Sequence, residues 1–211
     1  PLWNVFSFFV TYANASGIDA DELPAADPAT APVLDRWVAS QLAGTVREVR
    51  ERMDAYDATG AGRRIQTFVD DLSSWYVRRS RRRFWNPGGE PGDDGAFATL
   101  HTCLVTLAQL LAPFTPFVAE ALWRTLAADR ANRPDSVHLS DFPIVHEHLI
   151  DPGLDQAMSM ARQVVELGRR VRVETKVRTR QPLAEAIAHV PEQTPDLASL
   201  LPIVADELNV H

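Results

Sequence analysis

Ala61-Gly62-Arg63-Arg64-Ile65-Gln66-Thr67-Phe68-Val69-Asp70-Asp71-Leu72-Ser73-Ser74-Trp75-Tyr76 sets apolar side chains at 61, 65, 68, 72, 75 and 76. Steps of three and four residues put these on one face of an α-helix. Asp57 stands upstream as an expected N-cap. The helix is expected to continue through Val77-Arg78-Arg79-Ser80-Arg81-Arg82-Arg83-Phe84-Trp85 and to stop before Asn86-Pro87-Gly88-Gly89.

The same periodicity recurs on both sides. Leu2, Trp3, Phe6, Phe9, Val10 and Ala13 predict a first helix over 2–15, ended by Gly17. Residues 17–32, with Pro24, Pro28 and Pro32, read as an acidic linker. Leu34, Trp37, Val38, Leu42, Val49 and Met53 predict a second helix from about Pro32 to Tyr56. Beyond a turn-rich, mobile loop over 87–95, Asp93 or Asp94 is expected to cap a helix that Pro113 breaks. Thr115-Pro116 opens a fifth to about Ala128, and Asp151-Pro152 a sixth, ending near Val173. Residues 129–150 read as irregular. After Pro182, Ala184–Val190 reads as a short strand, Pro195–Asp206 as a helix and Leu208–Val210 as a strand start.

The expected fold is therefore mainly α. A bundle of five or six helices is expected, with its main body over 1–150 and a sixth helix and basic connector over 151–183, followed by a small truncated α/β appendage over 184–211. The chain has 211 residues, 45% of them hydrophobic, which suits a domain with a sizeable core plus a small unit. No apolar run approaches the roughly 18 residues that suggest a membrane span. Pro1-Leu2-Trp3-Asn4 has no basic lead into an apolar stretch and no initiator Met, which predicts an excised fragment without a signal peptide. The lone Cys103 rules out an internal disulfide and a multi-cysteine zinc site, and fits a reducing, cytoplasmic setting.

The net charge of −7 argues against a polyanion as partner, but its distribution argues for one. Residues 63–83 hold seven Arg and two Asp, and residues 162–180 hold six Arg, one Lys and two Glu. Each segment is thus +5, and what a polyanion meets is the local field. Arg78, Arg79, Arg81, Arg82 and Arg83 sit between aromatic residues, with Trp85 at the end. Six residues wind through about 600° of helix, so these arginines cannot share one face. At least one, Arg79 by expectation, lies near the buried stripe and needs a carboxylate or snorkels outward. The others present guanidinium forks to phosphates. The second segment brings Arg169, Arg170, Arg172, Lys176, Arg178 and Arg180 to a helix end, where cations also suit the helix dipole. A solvated charged face, or a seam docked on an acidic partner, fits both patterns as well.

No catalytic set emerges. His138, His146 and His148 lack the spacing of a metal site, and Gly88, Gly89 and Gly92 do not form a phosphate loop. Ser73, Ser74 and Ser80 lack the context of a nucleophile elbow.

The order of the motifs adds a resemblance. Leu2-Trp3-Asn4 with Phe8-Phe9-Val10-Thr11-Tyr12-Ala13-Asn14, then Asp35-Arg36-Trp37-Val38, resembles segments of class I isoleucyl-tRNA synthetases. Asp70–Trp85 resembles their most recognisable helix, in the eukaryote-like form also found in some bacteria. Leu111-Ala112-Pro113-Phe114-Thr115-Pro116-Phe117 and Glu120 are similar to a segment shared with the leucine, valine and methionine enzymes. Val177-Arg178-Thr179-Arg180-Gln181-Pro182-Leu183 resembles the lead into their C-terminal region. The resemblance implies an anticodon-binding bundle whose partners are the anticodon arm of tRNA(Ile) and the catalytic domain of the same parent chain, in a cytoplasmic monomer with no membrane contact. The candidate tRNA-binding residues are the eleven cations named above and Trp85. The parent would join isoleucine to tRNA using ATP and Mg2+. The family's His-x-Gly-His and Lys-Met-Ser-Lys-Ser motifs are absent, so this fragment is expected to hold no cofactor and to catalyse nothing. The equivalent domain of a valyl-, leucyl- or methionyl-tRNA synthetase, and a protein-docking bundle, stay open.

Overall fold

The decisive helix is continuous, but it is not α-helical throughout. In a computed structural model, which describes residues 1–18, 30–85, 93–127, 133–190 and 197–210, α3 spans Ala58–Asp71 and α4 spans Arg78–Trp85. Between them Leu72–Val77 is π-helical. Phe68, Leu72, Tyr76, Ser80 and Phe84 recur every fourth residue and are all buried. In an α-helix each four-residue step drifts by about 40°, which would carry Phe84 nearly to the far side. The wider π turn absorbs that drift and keeps Tyr76, Ser80 and Phe84 over the same core.

The start of α3 is fixed as its cap predicts. Asp57 accepts the backbone N–H of Gly60 at 2.8 Å and the Arg52 guanidinium at 2.7 Å. That N–H bond, then Arg52, holds the Asp57 carboxyl below its ordinary value. A Cβ on Gly60 would stand 2.0 Å from the Asp57 carboxylate, so the cap requires glycine there.

The contacts divide the chain into two units, residues 1–150 and 151–211. In the first, α1 (Leu2–Ser16) closes on left-handed Gly17, as expected. The other helices are α2 (Val33–Asp54), α5 (Asp93–Leu111) and α6 (Pro116–Leu126). Helix α5 is central and packs against α1, α2, α3, α4 and α6. Phe97, Leu100, Leu104, Leu107 and Leu110 on it are fully buried, as befits a helix with neighbours on every side. Phe84 of α4 meets Phe8 of α1 and Phe97 of α5 edge-on, with ring centroids 5.1 and 4.8 Å apart. Thr115 precedes Pro116 as expected but makes no side-chain cap bond. The irregular stretch after α6 is tied down by Glu120, which accepts from Ser136 Oγ, Val137 N and Arg124 Nε at 2.9, 3.1 and 2.8 Å. Arg124 foremost, then Ser136, lowers the pKa of its carboxyl.

In the second unit, Asp151 caps α7 (Pro152–Glu174) by accepting Leu154 N at 2.9 Å. Helix α8 (Leu201–Leu208) follows a 3-10 turn at Ala198–Leu200 and packs on α7. A Cβ on Gly168 would lie 2.6 Å from Leu208 Cδ2, so glycine lets the two helices approach. The expected strand over Ala184–Val190 does not form, and Ile187 is 76% exposed. An apolar run becomes a strand only with a partner to bond and a surface to cover, and among the described residues it has neither. The one β feature described is a parallel bridge between Leu183 and Val210, where Leu183 N donates to Asn209 O at 3.0 Å. Among its described residues the 184–211 appendage is thus an extended segment and α8, with the single bridge at Val210 in place of strands. Most of the acidic linker and of the 87–95 loop lies outside the described residues. No described helix is long and apolar enough to cross a membrane.

Candidate nucleic-acid interface

Helix α4 sorts its arginines by azimuth. Ser80 and Phe84 point inward. Arg78, Arg81, Arg82 and Trp85 are exposed, at spacings that place them on one outward face. Trp85 keeps 59% of its surface in solvent, ending a guanidinium-lined stripe with an open ring. The Arg78 Nε donates to Ser74 O at 2.8 Å, and its guanidinium carbon lies 5.7 Å from the Trp75 ring centroid. Those contacts hold Arg78 along its own helix. Arg81 and Arg82 make no hydrogen bond or ion pair among the described residues.

Arg83 has another role. Its Nη1 and Nη2 donate to Asp35 Oδ1 and Oδ2 at 2.6 and 2.8 Å, a bidentate pair on a carboxylate that is 2% exposed. The Tyr76 hydroxyl also donates to Asp35 Oδ1, at 3.0 Å, and burial, followed by the Asp35 charge, raises its pKa. The sequence pointed to Arg79 as the inward arginine, and Arg79 is half-buried. Arg83, also half-buried, meets the buried Asp35 carboxylate. On a helical projection it lies about 80° from the midline between Ser80 and Phe84, whereas Arg79 lies about 120° away. Asp35, not expected as a site residue, comes from the first turn of α2. Its signal in the sequence was its place at the head of the Asp35-Arg36-Trp37-Val38 segment.

The second basic segment belongs wholly to the second unit. Arg169 is ion-paired with the buried Glu207. Arg172, 4% exposed, donates to the carbonyls of Arg178, Gln181, Leu208 and Asn209 at 3.0, 3.0, 2.5 and 3.3 Å. Two of those carbonyls end α8, so Arg172 caps that helix from outside. Arg170 is exposed and pairs with Glu174 one turn on, at 2.9 Å. Lys176, Arg178 and Arg180 are exposed, Lys176 with a left-handed backbone at φ 59.

Other chemistry is thin among the described residues. No group of three His, Cys, Asp or Glu is placed to hold a metal, and the His146 and His148 rings stand 5.8 Å apart. Burial pushes the Cys103 thiol up, away from the reactive thiolate.

Known proteins match this sequence. The family model described as the anticodon-binding domain of tRNA ligase matches residues 35–188. The isoleucine–tRNA ligase of Thermobifida fusca (strain YX) is 45% identical over 210 residues, covering 99% of this chain and 20% of that protein. That of Deinococcus radiodurans is 47% identical over 213 residues, 99% of this chain and 19% of that protein. That of Streptomyces coelicolor is 44% identical over 214 residues, with the same coverage. The chain spans about a fifth of the length of these curated relatives.

Proposed function

The chain belongs to the anticodon-binding domain family of tRNA ligases, and on that premise we propose that it binds the anticodon arm of tRNA(Ile) within an isoleucine–tRNA ligase. The observation that carries the proposal is the outward face of α4, where Arg78, Arg81, Arg82 and Trp85 lie together in solvent. The guanidinium groups contact phosphates and set register, while the Trp85 ring stacks on an unpaired base. Arg170, Lys176, Arg178 and Arg180 are exposed cations of the second unit and add phosphate contacts. Arg83, Arg169 and Arg172, engaged with Asp35, Glu207 and backbone carbonyls, serve the fold instead. In the whole protein, ATP and Mg2+ would be held outside this domain, and the bundle would present the tRNA to the catalytic body.

A bundle that docks on protein would instead seat Arg78, Arg81 and Arg82, which face solvent in this chain, on an acidic surface, and charge reversal there would leave RNA binding unchanged. The test is fluorescence anisotropy with a labelled tRNA(Ile) anticodon stem-loop against a scrambled loop, across a salt series. Four neutralised phosphates give a slope of log affinity on log salt of about −3. A flat response, or equal binding of stem-loops from valine, leucine and methionine tRNAs, would refute the corresponding part of the proposal.

A further inference from the structure

A buried ion pair is a poor means of stabilising a bundle, because apolar side chains of equal volume serve as well or better. What the pair adds is direction. The two parallel N–H···O bonds from Arg83 fix the guanidinium in the plane of the Asp35 carboxylate. Asp35 is itself held by the Tyr76 hydroxyl, which has the Ala96 carbonyl 3.4 Å away as a second acceptor. One carboxylate on α2 thus gathers side chains from the π-helical segment and α4, next to the backbone of α5. Helix α4 continues the π-helical segment and buries Ser80 and Phe84, and the Arg83 bond adds a directional constraint on its rotation beyond the last π turn. Arg83 stands between Arg82 and Trp85 in sequence, so a bond that fixes it fixes their azimuth. A rotation of about 20° would move a point about 6 Å from the helix axis by about 2 Å. Binding groups need to be held to roughly 0.5 Å.

We infer that Asp35 is a positioning residue for RNA binding: through Arg83 and Tyr76 it sets the rotation of α4 and so aims Arg78, Arg81, Arg82 and Trp85 at the anticodon arm. This rests on the proposed function of that face.

Charge and orientation predict opposite signs for one variant. Asp35→Asn removes a negative charge from beneath a basic face, so Coulomb attraction alone would tighten binding of a polyanion. Loss of orientation weakens it, on the order of tenfold, the scale seen when an outer partner that orients a binding group is removed. Stem-loop affinity is measured by anisotropy at a temperature where circular dichroism shows the variant folded. Tyr76→Phe keeps every charge, carries the test if Asp35→Asn does not fold, and is expected to weaken binding in the same direction. Val49→Ala, which opens a cavity on the buried face of α2, is the control for general destabilisation. Weaker binding by Asp35→Asn or Tyr76→Phe than by Val49→Ala, with faster hydrogen exchange over 78–85, is the expected result. Unchanged or tighter binding by folded Asp35→Asn overturns the inference, as does an equal loss in Val49→Ala. Absence of binding by the unmodified chain overturns the proposed function as well, and so separates the two failures.

Discussion

Arg83 and Asp35 lie 48 residues apart in sequence and meet through two hydrogen bonds of 2.6 and 2.8 Å, one end almost wholly out of solvent. Removing one partner leaves the other charged and buried. Arg83→Ala is therefore expected to cost about 3–5 kcal/mol of unfolding free energy. Arg81→Ala and Arg82→Ala, two and one residues away but solvated, should stay within about 0.5 kcal/mol of the parent. Urea denaturation of the three variants checks this ordering, and equal losses would mean that Arg83 is no more embedded than its neighbours.

The exposed face makes a contrasting prediction for RNA. Replacing Arg81 and Arg82 with Ala should weaken stem-loop binding for every loop sequence and flatten the salt slope by about 1 per lost phosphate contact. Trp85→Ala should cost about 1–3 kcal/mol of binding and leave the slope unchanged, since stacking carries no charge. Titrations at three salt concentrations separate the two effects.

Much of the bundle was legible because its signals are local. Asp57, Asp151 and Gly17 each act on backbone within four residues, and the apolar stripes repeat within one helix. The π-helical segment was not legible as such. Its trace is a run of strict four-residue steps from Phe68 to Phe84, which reads as helix of either kind. The division of labour among the arginines was hidden for a similar reason: it depends on the phase of α4, and on Asp35 and Glu207, which arrive from distant turns of chain. The 184–190 segment places Ala184, Ala186, Ala188 and Val190 at alternate positions, but strand formation is decided by a neighbour that this pattern does not reveal.

Ser80 tests the inward face of α4 from the apolar side. Its side chain is buried, and its hydroxyl has no hydrogen-bond partner among the described residues. A buried, unmatched hydroxyl is a standing penalty. Ser80→Ala is expected to stabilise the bundle by about 1 kcal/mol without changing stem-loop affinity. A measured destabilisation would show that the hydroxyl has a bound water as partner.

Acid should loosen the first unit through two carboxylates. Asp57 and Glu120 both have depressed folded-state pKa values, from the Gly60 N–H and from Arg124 respectively. A depressed carboxylate contributes stability that is present above its unfolded pKa of about 4 and is lost as pH falls through the folded value. Asp57→Asn preserves a capping oxygen but cannot titrate, so it should flatten the acid limb of the stability curve. Thermal melts between pH 7 and pH 3 read this directly, and parallel curves for parent and variant would remove Asp57 from the account.

Arg172 makes the last prediction, and the most local. Four backbone carbonyls, two of them at the end of α8, share one buried guanidinium. Lysine has the charge but not the fork, and methionine has neither. Arg172→Met should therefore strip protection from the amides of 197–210 in hydrogen exchange, with Arg172→Lys intermediate. Amides of the first unit should be unaffected, because the carbonyls that lose their donor all lie in the second. If α8 keeps its protection in Arg172→Met, the Gly168–Leu208 approach and the Arg169–Glu207 pair hold the two helices together, and Gly168→Ala becomes the variant that opens them.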